Sequence, residues 1–121
     1  MTRDYVVDDD DTAVALGSGD VPVLATPRLV AWLEAATVDA CPPLPEGSTT
    51  VGTRVDIEHL LASPIGARVR VQAALVHRDD RLLRFEVTAF DDASSDAPRL
   101  IAHGQVTRVA VDRQRFLSRV G

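Results

Sequence analysis

The chain contains no lysine. All 13 of its basic residues are arginine, and against 18 Asp and Glu they leave a formal charge of −5. That balance argues against nucleic acid as a main partner, which would ask for a basic face. Cys41 is the single cysteine, so no disulfide forms within the chain and thiolate zinc is excluded. The three histidines, His59, His77 and His103, are too scattered to mark a metal site. No apolar run approaches the ~20 residues of a membrane-spanning helix. The opening MTRDYVVDDDD is acidic and lacks the pattern of a secretory signal. A cytoplasmic protein with no membrane partner is expected.

What is present suits one domain, residues 1–121. The composition is 45% hydrophobic and 26% charged, ordinary for a globular protein. A chain this long buries roughly two-thirds of its unfolded surface.

Local signals divide the first part of the chain. DYVV, Asp4 to Val7, reads as a short strand. Asp8 to Asp11 is a solvated turn, with Asp11 placed to cap a short helix through Leu16 that stops at Gly17. GSGD, Gly17 to Asp20, is a loop without the strand-turn-helix setting and Lys of a phosphate-binding loop. Thr26-Pro27 predicts a helix start, with Thr26 at the N-cap and Pro27 at the first helical position. PPLP, Pro42 to Pro45, ends that helix because the proline ring blocks its continuation. Within it Leu29, Leu33, Ala36 and Ala40 form one apolar line, flanked by Val30 and Thr37.

Beyond Gly47 the hydrophobic period shortens to about 2. In TTVGTRVDIEHL the odd positions Val51, Thr53, Val55, Ile57 and His59 are expected to face the core. The even positions Thr50, Gly52, Arg54, Asp56 and Glu58 are expected to face solvent. SPIG turns the chain at Ser63 to Gly66. Ala67 to His77 alternates again with Val69, Val71, Ala73 and Leu75 inward; RDDR makes a hairpin turn, and Leu82 to Phe90 returns. A loop leads to a last strand, Arg99 to Asp112, and RQRFLSRVG reads as a tail. One early strand, one central helix and four long antiparallel strands make an α+β domain whose helix covers one sheet face. That is the hot-dog arrangement, a curved antiparallel sheet wrapped around one central helix. Periodicity alone leaves a generic α+β sandwich open.

Two ionisable residues break the apolar pattern. At ~100° per residue, Glu34 projects at the edge of the apolar helix face beside Val30, Val38 and Cys41. Its neighbours three and four positions away include no basic residue. His59 shares parity with Val55 and Ile57 and sits at a strand end, where a cleft opens. Burying either alone is costly, and ionisable groups converging on one layer are candidates for a functional site. Each also has a plain structural reading: Glu34 reaching water, His59 half-exposed, Thr26 only a cap worth ~1 kcal/mol. Cys41 reads as buried filler, His77 as wet, and His103 as surface or interface. Spacing alone names no reaction.

The strings VLATPRLVAWLEAA, EGSTTVGTRVDIEHLLASPIGARVRVQAAL and RLLRFEV together resemble the fluoroacetyl-CoA thioesterase-like family of hot-dog proteins. The likeness runs from about Val21 to Val111. It is carried by the A-T-P helix start with a Glu eight residues after the Thr, the V-G-T strand ending in His, and the A-[ST]-P-x-G turn. Residue by residue, the family's Thr, Glu and His fall on Thr26, Glu34 and His59, and its glycine on Gly52.

The resemblance implies hydrolysis of an acyl-CoA thioester. Glu34 would be the base for water or a nucleophile. His59 would move the proton to the leaving thiolate, and Thr26 would orient Glu34 or the carbonyl. Gly52 would let the acyl group approach a backbone bare of Cβ. The N–H groups of Arg28 and Leu29 would bind the oxyanion at the helix start, Pro27 having none. A homodimer with the site at its interface is implied as well; whether Glu34 and His59 come from one chain or both stays open. Coenzyme A enters as part of the substrate, with no metal and no other cofactor. Arg54, Arg68, Arg70 and Arg108 are candidates for its phosphates.

Two segments depart from the family pattern. GQVTR stands in the last strand where the family has G-T-H-E-R, keeping Gly104 and Arg108. The segment from Leu16 to Thr26 is short and without aromatics, which points away from a close-fitting lid over a fluoroacetyl group. The alternative function is a hot-dog module that binds or senses acyl-CoA without turnover. A hydratase, which would carry its own motifs around the central helix, ranks last.

Overall fold

The computed structural model describes all of residues 1–121. Strand β1 (Thr2–Val6) leads through a 3-10 turn at Asp9–Asp11 to a one-turn helix, α1 (Ala13–Leu16). The long helix α2 (Thr26–Ala40) is followed by β2 (Ser48–His59), β3 (Arg68–Asp79), β4 (Leu82–Asp91), β5 (Arg99–Asp112) and a last helix, α3 (Arg113–Val120). The strands form one antiparallel sheet in the order β1-β3-β4-β5-β2, curled around α2 in the hot-dog arrangement. No helix is long and apolar enough to cross a membrane.

The core forms where α2 lies on the sheet. Leu29, Trp32, Leu33, Ala36 and Thr37 are buried, a stripe at helical spacing. They belong to one cluster with Val69, Val71 and Ala73 of β3, Leu83, Phe85, Val87 and Ala89 of β4, and Ile101, Ala102 and Val106 of β5. Each fully buried Leu, Val or Phe contributes roughly 1.5–3 kcal/mol, so this face fixes where α2 sits. At the β1 edge Trp32 stacks on Tyr5 with ring centroids 4.3 Å apart and planes 3° apart. Arg3 clamps Asp39 at 2.6 Å alongside.

Several sequence expectations change. Helix α1 is capped by Thr12 rather than Asp11: Thr12 Oγ1 accepts the Ala15 N–H at 3.2 Å. Asp11 instead joins Asp8 in a capping box around the 3-10 turn. The tail is helical, because Asp112 accepts the Arg115 N–H at 2.9 Å. No residue of α3 is buried, which is why hydrophobic spacing gave no sign of it.

The change that matters most is in β2. Its pairing with β5 sets Gly52 opposite Arg108 and Arg54 opposite Thr107, leaving Thr53 as an extra residue. Such a bulge reverses the alternation at one point. Beyond it Val55, Ile57 and His59 share the face of buried Val106, as expected. Before it the inward residues are Thr50 and Gly52, not Val51 and Thr53. β2 is also a sheet edge, and residues 52–56 are exposed.

Candidate active site

Thr26 does not cap α2. Ala25 is the capping residue, extended at φ −72° and ψ 139°, with no side-chain bond. Backbone bonds hold this approach instead: Leu24 N–H to the Ser63 carbonyl and Ala25 N–H to the Asp11 carbonyl, each 2.9 Å. With the helix start fixed by the fold, the Thr26 hydroxyl is free for another partner. It lies 2.8 Å from His59 Nδ1.

His59 Nε2 is buried and has no hydrogen-bond partner. Burial holds the imidazole below its ordinary pKa of 6.5. The Leu61 backbone opposes that effect in part without closing a hydrogen bond of good geometry. A neutral ring with one nitrogen fixed by a hydroxyl and the other unoccupied has what a proton shuttle needs.

The helix start also offers donors, but not both of those expected. Leu29 N–H closes the first intrahelical bond, to the Ala25 carbonyl at 3.0 Å. It is therefore not free for an oxyanion, and its side chain is wholly buried. The Arg28 and Thr26 N–H groups have no backbone acceptor in the chain. The Arg28 guanidinium is engaged by Asp11 at 3.0 Å and by the Asp10 carbonyl at 3.3 Å. The Arg28 Nε makes no hydrogen bond of good geometry despite the nearby Asp11, and the Arg28 backbone N–H stays open to a ligand.

Glu34 finds on β5 the basic partner its own helix lacks. Arg108 Nη1 lies 3.6 Å from Glu34 Oε2. Arg108 is 7% exposed and is gripped by Thr50, whose Oγ1 accepts from Nε at 2.9 Å and whose carbonyl accepts from Nη2 at 3.2 Å. The Thr50 hydroxyl is in turn 3.7 Å from Cys41 Sγ, so Cys41 is half-buried beside the site. Gly52 makes room for the carboxylate: a Cβ there would lie 2.6 Å from Glu34 Oε2.

Gly52 and Arg108, read from the sequence as acyl and phosphate contacts, thus both lie against Glu34. The bulge at Thr53 is what turned Thr50 and Gly52 inward, and the one sequence hint was a glycine inside a strand pattern. Of the other arginines suggested for CoA phosphates, Arg54, Arg68 and Arg70 are exposed on their strands, and Arg70 pairs with Asp4 at 2.7 Å. No three His, Cys, Asp or Glu side chains converge to hold a metal ion.

Two clusters result, Thr26 with His59 and Glu34 with Gly52 and Arg108. Eight residues of α2 separate Thr26 from Glu34, about 12 Å of helix rise. Gly52 and His59 lie about 20 Å apart along β2. Within one chain no hydrogen bond joins Glu34 to His59.

The family model of the fluoroacetyl-CoA-specific thioesterase FlK matches residues 7–114. The structure of FlK is 29% identical and superimposes with a TM-score of 0.88, over 99% of this chain and 90% of that one. A variant of FlK in complex with fluoroacetate and CoA is also 29% identical, with a TM-score of 0.87 over 99% and 95% of the two chains. A thioesterase-superfamily protein of Thermus thermophilus is 26% identical, with a TM-score of 0.87 over 98% and 85%. Among curated proteins none matches by sequence. The matched span contains both clusters whole, and the chain belongs to the fluoroacetyl-CoA-specific thioesterase family of thioester hydrolases.

Proposed function

We propose that the protein hydrolyses a small or medium acyl-CoA as a homodimer. Each site takes Glu34, Gly52 and Arg108 from one protomer and Thr26 and His59 from the other. The observation that carries this reading is the separation of the two clusters within one chain. A base or nucleophile about 12 Å along the helix from the proton shuttle's partner is out of reach of the same carbonyl.

The open edge of β2 supports the dimer, since an unpaired edge strand is a template for pairing. Val55 on this strand is 40% exposed, and Val38 on α2, one turn beyond Glu34, is 52% exposed. Antiparallel pairing of β2 with its copy about a two-fold axis sets the start of one strand near the end of the other. Gly52 of one protomer then approaches His59 of the second.

In this reading the Thr26 and Arg28 N–H groups steady the oxyanion, in place of the Arg28 and Leu29 pair suggested by the sequence. Glu34 takes the proton of the attacking water, or attacks the carbonyl itself to give an anhydride that water opens. His59, neutral at rest, relays the proton that the water gives up to the CoA sulfur while Thr26 fixes the ring. The products are a free acid and CoA thiol, and CoA enters only as part of the substrate. The FlK variant bound to fluoroacetate and CoA supports a CoA thioester as substrate. The absence of aromatics between Leu16 and Thr26 favours an acyl group other than fluoroacetyl. A cytoplasmic setting, where acyl-CoA and a free Cys41 thiol are both at home, belongs to the same proposal.

Thiol release from short, branched, aromatic and long acyl-CoAs, by the wild type and by Glu34→Gln, tests it. The wild type is expected to release thiol and the variant to be slower by about 100-fold or more, with unchanged circular dichroism. No release from any substrate, with calorimetric binding of a CoA thioether, would make the protein a binding module.

A further inference from the structure

The A-S-P-I-G turn, residues 62–66, makes no hydrogen bond to the side chains of either cluster, yet its serine joins the two segments that carry Thr26 and His59. Ser63 follows His59 by four residues. Its carbonyl accepts the Leu24 N–H at 2.9 Å, two residues before Thr26. A backbone bridge between Val23 and Pro64 runs beside it. The end of β2 and the start of α2 are therefore registered against each other at this turn.

Ser63 is itself tied down. It is wholly buried, and its Oγ donates to Asp91 Oδ2 at 2.6 Å. The Asp91 carboxylate has no exposed surface and also accepts from Arg99 Nε and Nη2, both at 2.8 Å, and from the Ala93 N–H at 3.2 Å. Arg99 Nη2 bonds the Ala62 carbonyl at 3.0 Å as well. Burial pushes the Asp91 carboxyl up, but Arg99, Ser63 and Ala93 outweigh it and hold the group below the ordinary carboxylate range.

An apolar contact of equal volume could stabilise such a turn as well as a buried ion pair does. What the carboxylate adds is direction, because its donors approach on fixed lines. We propose that Ser63, oriented by Asp91, is a positioning residue that sets the Thr26–His59 hydrogen bond; this rests on the function proposed above. The turn motif thereby has a physical role that neither the fold nor the two clusters require. A displacement of about 1 Å at a reacting group can lower a rate by roughly 100-fold, so a latch remote from the carbonyl has leverage.

Ser63→Ala removes the Oγ bond while keeping the Leu24 bond and the Asp91–Arg99 pair. We expect kcat to fall about tenfold with KM unchanged, since the lost contact orients rather than binds. The same substitution in a Thr26→Ala background should lose less than about twofold, because the contact it serves is already gone. Equal losses in both backgrounds, or none in the first, would overturn the proposal. An imidazole 15N spectrum gives an answer without substrate. The His59 signals should report one tautomer in the wild type and an average in Ser63→Ala; identical spectra would also overturn it. If the wild type releases no thiol from any CoA ester, the functional reading fails, and the spectra alone decide whether Ser63 positions His59.

Discussion

Thr26 Oγ1 lies 2.8 Å from His59 Nδ1 and joins residues 33 positions apart. The contact exists because the start of α2 is held by backbone bonds from Ser63 and Asp11, which leaves the hydroxyl without capping duty. Helix start and strand end meet in one polar contact at the rim of the core.

Thr26→Ala should therefore separate activity from stability. A capping threonine costs about 1 kcal/mol on truncation; here the melting temperature should move by less than that loss implies. The rate of thiol release should fall about tenfold or more, and Thr26→Ser should recover most of it. A large drop in melting temperature with near-normal turnover would return Thr26 to a capping role.

The acid side of the pH profile follows from His59. Burial holds its pKa below 6.5, so the neutral ring persists to lower pH than a free imidazole would. The acid limb of kcat/KM should fall below pH 6.5. In the unfolded chain the same histidine takes its proton first, as pH drops through the ordinary value. Folding stability should thus decline on acidification between the unfolded and folded pKa, then level off for this group. His59→Gln should flatten that part of a stability-against-pH curve measured by denaturant titration.

Gly52→Ala should act on Glu34 without disturbing the core. The added Cβ would meet the carboxylate oxygen at 2.6 Å, so the flexible end of Glu34 has to move. Turnover should fall about tenfold, a scale set by misplacement of a reacting group, while circular dichroism stays unchanged. Full activity would show that the carboxylate does not work from this position.

Arg108→Met tests the partner from β5. The methionine fills similar volume, so stability should change by only about 1–2 kcal/mol. Glu34 loses the charge 3.6 Å away, and kcat should fall about tenfold, the measured quantity being thiol release at saturating substrate. Arg108→Lys should not restore it, because an ammonium cannot reproduce the two bonds to Thr50 and also reach Glu34.

Much of this was legible in the sequence, for reasons that can be named. The helix stripe of Leu29, Leu33 and Ala36 and the alternation of Val69, Val71 and Ala73 predict their elements, because burial imposes those periods. His59 was legible because beyond the bulge its strand keeps parity. Thr50 and Gly52 were set on the wrong face because one extra residue, Thr53, reverses the alternation before it, and the glycine inside the strand pattern was the one local hint. Thr26 read as a cap because propensity takes no account of the backbone bonds that made capping unnecessary. The role of Ser63 was invisible for the same reason: its partners, Leu24 and Asp91, are distant in sequence.

Subunit complementation tests the shared site most directly. Glu34→Gln and His59→Ala are each prepared as inactive proteins, then unfolded together in equal amounts and refolded. If each site draws Glu34 and His59 from different protomers, half of the dimers carry one intact site, and about a quarter of the wild-type thiol release returns. A site built from one chain, or a protein that works as a monomer, leaves the mixture as inactive as its two components.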